Sequence, residues 1–72
     1  MYKDLEDVHN SYKLWKPTIY IGHTAYELQK VDHYGKSEYH IYKHKQDDWC
    51  LKIRVVKGQV FETIFSKYSL TN

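Results

Sequence analysis

The sequence predicts a small α+β domain, an N-terminal amphipathic helix packed on an antiparallel β-meander of four to five strands. Three observations carry that class. Trp49, Leu51, Ile53 and Val55 alternate with Cys50, Lys52 and Arg54, the period of two that a strand with one buried face requires. Lys57-Gly58 follows as a two-residue turn, and a second run rich in β-branched and aromatic residues returns through 59–65. Near the start, Leu5, Val8, Tyr12 and Trp15 recur at helical spacing and Pro17 ends the run.

Taken in order, Asp4 is the expected N-cap of a helix over Asp4–Trp15. Glu6 and Asp7 near its start, with Lys13 and Lys16 near its end, complement the helix dipole. Thr18–Ile21 reads as a short strand, Gly22 as a bulge or bend, and Ala25–Val31 as renewed extended chain. Asp32–Lys36 has turn composition. Glu38–His44 is the next strand, with Tyr39 and Ile41 on one face and His40, Tyr42 and His44 on the other. Lys45–Asp48 is a polar turn into the central hairpin. The last segment is two-valued: its composition favours a strand, yet Val60, Phe61, Ile64, Phe65 and Tyr68 also fit one helical face. Ser69–Asn72 reads as a loose terminus.

At 72 residues the chain is expected to form a single domain, 1–72. A domain of this size buries only about 60% of the surface its unfolded chain exposes, so modest stability is expected. The formal charge of +2 and pI near 8.6 give no dense positive field. One cysteine, Cys50, permits no intrachain disulfide. Three acids among the first seven residues predict no secretory signal, and no stretch approaches the roughly 18 apolar residues of a membrane span. These features together predict a cytoplasmic chain without membrane partners.

Enzyme chemistry finds little support. No nucleophile elbow, phosphate-binding glycine loop or dinucleotide fingerprint is present. His40 and His44, four apart on a strand, stand about 13 Å from each other and cannot share one ion unaided, so no metal or other cofactor is expected. The polar side of the predicted sheet says more. With strict alternation it displays His40, Tyr42 and His44 from one strand, Lys52 and Arg54 from the next, and Phe61 and Phe65 from the last. Tyr34, at a turn beside Gly35, has no core to satisfy. Tyr34, Tyr42, His44, Lys52 and Arg54 are therefore the expected partner-binding residues. Tyr, Phe and Arg are enriched at protein interfaces, which makes a partner protein the first reading. Aromatics that stack on bases beside cations that track phosphates make nucleic acid the alternative. A homodimer through exposed edge strands is the third.

In length and in its heavy use of Lys, Tyr and Ile, the chain resembles small accessory proteins of phages and mobile elements of AT-rich bacteria. Anti-CRISPR and anti-restriction proteins are among them. The resemblance implies an inhibitor that binds and occludes a host defence protein in the host cytoplasm. It covers composition and length and assigns no residue.

Overall fold

The structure, a computed structural model, describes residues 1–13 and 16–67. Five strands run β1 (Thr18–Ile21), β2 (Thr24–Tyr34), β3 (Ser37–His44), β4 (Trp49–Val56) and β5 (Gln59–Lys67), each antiparallel to the next in the order β1-β2-β3-β4-β5. The one helix, α1, is the seven residues Leu5–Ser11. The fold is therefore β-rich, and the predicted α+β class, with a helix layered on a sheet, is corrected. The sheet curls: Tyr26 on β2 and Phe65 on β5, separated by two intervening strands, bring their ring centroids to 5.9 Å. Its inner face holds the core. Among the described residues no helix is long and apolar enough to cross a membrane.

Helix α1 starts where expected and stops early. The Asp4 carboxylate accepts the Asp7 N–H at 3.0 Å, and the Asp7 side chain accepts the Lys3 N–H at 2.9 Å, a reciprocal arrangement that satisfies donors at the helix start. Asn10 and Ser11 favour turns over helix interiors. Tyr12 leaves helical geometry (φ −58, ψ 129), still closing the last turn onto the Val8 carbonyl. With the backbone leaving the helix there, the Tyr12 hydroxyl sits in the core against His40 and Tyr42. Trp15, assigned to the helix by periodicity, lies outside the described residues, as do Tyr68 and the Ser69–Asn72 terminus.

Three two-residue connections close the meander. Lys57 (φ 53) and Gly58 (φ 79) both lie in the left-handed region, the signature of the type I′ turn that matches strand twist. Gly22-His23 closes the first hairpin, and Gly35-Lys36 the second, so β2 runs to Tyr34, past the predicted turn at Asp32. Two bulges redirect side chains, one at Gln29 between Leu28 and Lys30, one at Phe61 between Val60 and Glu62. Residues 59–67 are strand, and the helical alternative for this segment is set aside. At the N-terminus, Tyr2 bonds to Tyr20 and Gly22 and covers part of the β1 edge.

The register differs from the expected one by a face. Tyr42 pairs with Leu51 and His40 with Ile53, so the even residues of β3 share the inner face with the odd residues of β4. Tyr39 pairs with Arg54 and Ile41 with Lys52 on the outer face. The core is Val8, Tyr12, Ile19, Tyr26, Tyr42, Leu51, Ile53 and Val55, and fully buried His40 lies among them. A hydrogen-bonded chain threads it. The Tyr42 hydroxyl donates to the Lys16 carbonyl at 2.6 Å and so accepts from the Tyr12 hydroxyl at 2.7 Å. The Tyr12 hydroxyl also meets His40 Nδ1 at 2.9 Å, and His40 Nε2 meets Glu38 Oε1 at 3.1 Å.

Burial, reinforced by Tyr12, pushes the Tyr42 phenol well above its ordinary pKa of 10.0. The folded chain thus keeps a proton that the unfolded chain sheds above about pH 10. The stabilisation is complete below that pH and is lost as pH rises beyond it. Tyrosinate absorbance is expected to rise in two steps, the second coinciding with loss of circular dichroism. A single step completed with the fold intact would contradict the burial of Tyr42.

Candidate partner-binding face

The outer face is built by cross-strand rows. One runs Asp32, Tyr39, Arg54, Glu62 across β2 to β5; the next runs Lys30, Ile41, Lys52, Ile64. A third begins at Tyr34 and Ser37 at the β2–β3 turn. These rows enclose an open hollow of about 480 Å³, with Ile41 in its floor and Tyr34, Tyr39, Lys52 and Arg54 around it. Ile41 is 6% exposed although it belongs to the outer face, because Lys30 and Lys52 flank it in register and long lysine stems cover apolar surface.

Arg54 is the centre of this face. Its guanidinium carbon lies 4.9 Å from the Phe61 ring centroid and 6.0 Å from that of Tyr39, both within cation–π range. The bulge at Phe61 keeps the first contact and adds Glu62 to it: with the extra residue, Glu62 and Phe61 together oppose Arg54. Tyr39 in turn takes Tyr34 edge-on at 5.6 Å. Arg54 Nη2 donates to Ser37 Oγ at a long 3.4 Å, and its buried Nε has no hydrogen-bond partner among the described residues. Asp32 is engaged by Lys30 at 3.4 Å. Among the described residues neither Arg54 nor Lys52 forms an ion pair.

Of the five expected binding residues, three stand together here: Tyr34, Lys52 and Arg54. Tyr42 and His44 do not, and their assignment to this face is corrected. Tyr42 is fully buried in the core. His44 lies on the inner side, edge-on to Tyr26 at 5.4 Å, and its Nδ1 accepts the Gln46 N–H at 3.0 Å, which fixes the β3–β4 connection. It borders a separate cavity of about 370 Å³ with Tyr26, Asp47, Trp49 and Phe65. Phe65 accordingly faces inward, opposite Leu51, while Phe61 keeps its expected outward place. Tyr39 and Ser37 are the additions, and strand parity is the signal that finds them.

The face offers ring faces, an arginine fork and a lysine. Cys50, the single thiol, is buried beside Ser66 Oγ at 3.4 Å. His40, paired with Glu38 and Tyr12 in a catalytic-looking order, is fully buried, so no substrate reaches it. Among the described residues no three His, Cys, Asp or Glu side chains converge as metal ligands. Searches against protein families, curated proteins and solved structures find no match to this chain.

Proposed function

We propose that this chain is a non-enzymatic binding protein that attaches to a partner protein through the outer face around Arg54 and acts by occluding that partner's surface. One observation carries the reading: two aromatics, Tyr34 at 64% and Phe61 at 62% exposure, flank an arginine that forms no ion pair among the described residues, beside an open hollow. Exposed aromatics together with arginine are the composition of interface hot spots, and large aromatics left in water cost free energy that docking recovers. With the resemblance in composition, the reading extends to an inhibitor of a host defence effector, of the CRISPR or restriction kind.

Nucleic acid is the second reading, favoured by Lys52 and Arg54, which form no ion pair among the described residues, beside stackable rings. The same rows carry Asp32 and Glu62, whose charge repels a phosphate backbone, and this supports the protein reading. The test is an affinity capture from bacterial lysate, with and without nuclease, using the natural chain and a Tyr34→Ala/Phe61→Ala double variant as baits. A protein retained after nuclease by the natural chain and lost with the double variant is expected. Nucleic acid alone, lost at high salt, would reverse the order of the two readings.

A further inference from the structure

Resting on that reading, we infer that the hollow beside Arg54 receives a carboxylate side chain of the partner, an Asp or Glu flanked by an apolar residue. The geometry of the guanidinium is the first argument. Phe61 and Tyr39 lie within cation–π range of it, and an arginine fork carries its strongest contacts along its edge, to a planar anion. Nε is buried, so an incoming anion meets the terminal end of the fork, where Nη2 has only the long contact to Ser37 Oγ. A carboxylate taken on the Nη1–Nη2 end of the fork gains charge-assisted hydrogen bonds there, beside the Ser37 hydroxyl that Nη2 already touches.

The chain's own acids leave this position open. Asp32, one strand beyond Tyr39 in the same row, is held by Lys30. Glu62 stands opposite Arg54 in register without an ion pair to it. Lys52, exposed in the adjoining row, supplies a second cation for the incoming anion. The acids also limit what that anion is. Asp32 lines the hollow and Glu62 ends the same row, so a run of phosphates meets more like charge than a single carboxylate does. Ile41 in the floor and the Tyr34 and Tyr39 rings provide an apolar surface for the residue beside the carboxylate. A space of about 480 Å³ falls in the size range of pockets that bury small ligands.

The experiment uses the full chain, isotopically labelled, and three capped tetrapeptides: Gly-Phe-Asp-Gly, its Asn counterpart and its phosphoserine counterpart. The Arg54 Nε–H resonance and the ring resonances of Tyr34, Tyr39 and Phe61 are followed by nuclear magnetic resonance. The Asp peptide is expected to shift the Arg54 Nε–H signal and to bind about tenfold more tightly than the Asn peptide. Equal binding of the Asp and Asn peptides, absence of any shift at Arg54, or tighter binding of the phosphoserine peptide would each overturn the carboxylate assignment. The captured partner separates this inference from the reading beneath it. Arg54→Lys keeps the charge and loses the fork, and is expected to weaken capture about tenfold. If capture survives Arg54→Lys unchanged but is lost with Tyr34→Ala/Phe61→Ala, the face stands and the carboxylate falls. If neither variant affects capture, the face itself is wrong.

Discussion

Tyr42→Ala is expected to leave the chain largely unfolded. Tyr42 is fully buried, pairs with Leu51 at the centre of the inner face, and is the largest side chain in the core to be so enclosed. Truncating a buried aromatic to alanine costs about 3–5 kcal/mol through lost burial and the cavity left behind. Its hydroxyl adds a second effect. Removing it takes one hydrogen bond from the Lys16 carbonyl and one from the Tyr12 hydroxyl, which keeps His40 Nδ1 at 2.9 Å; two such lost bonds cost about 1–3 kcal/mol together. A 72-residue domain has a total stability of about 4–11 kcal/mol. The substitution therefore consumes most of the margin. Urea unfolding followed by circular dichroism measures it, with Tyr42→Phe as the control that keeps the ring and removes only the hydroxyl, at about 1–3 kcal/mol. A Tyr42→Ala chain that unfolds at the same urea concentration as the natural one would refute the core described above. From alternation alone, Tyr42 reads as a surface anchor whose loss spares the fold; its burial reverses that expectation.

The reversal shows what the sequence carried and how it was misread. Counting along β3 and β4 separately gives two faces each and no rule for joining them. The connection supplies the rule. A four-residue turn over Lys45–Asp48 leads into pairing that starts at Lys43 and Cys50, and from there even residues of β3 oppose odd residues of β4. That parity alone puts His40 and Tyr42 beside Ile53 and Leu51, and Tyr39 beside Arg54. The Asp4 cap, the Lys57-Gly58 turn and the alternation of β4 were legible for the same reason, since each is a local preference that the tertiary structure does not oppose. The bulges were not. Two-residue pairing from Lys57-Gly58 would turn Glu62 toward the core beside Ile53; one inserted residue at Phe61 instead brings Glu62 opposite Arg54 and Thr63 opposite Ile53. The end of α1 was hidden as well. Leu5, Val8, Tyr12 and Trp15 are periodic, but the hydrogen bonds of Tyr12 to His40 and Tyr42 span about thirty residues of sequence, beyond any local window. The fold class followed that error, because a helix of seven residues is a clip on a curled sheet and not a layer.

Arg54→Glu is expected to keep the fold and abolish capture of the partner. Arg54 is partly exposed on the outer face, and its two ring contacts are worth about 0.5–1 kcal/mol each at an exposed site. Glutamate there would also face Glu62 directly, and like charges opposite one another in a sheet cost a further fraction of a kcal/mol. Both losses leave a positive stability margin. Binding suffers more. Removal of a central hot-spot arginine costs about 2 kcal/mol or more, and reversing its sign sets a carboxylate against the partner's own. Affinity is expected to fall at least about thirtyfold by titration calorimetry. Lys52→Glu is the informative comparison: Lys52 is exposed and forms no ion pair among the described residues, so it behaves as a rim charge that alters association rate and salt dependence more than dissociation. A partner held through aromatics and one desolvated fork keeps most of its affinity as salt rises, whereas each phosphate neutralised by a cation adds to a steep decline. Normal binding by Arg54→Glu would move the interface away from this face. The inner cavity beside Trp49 and Phe65, with the neighbouring outermost strand β5, would then be the surface to mutate next.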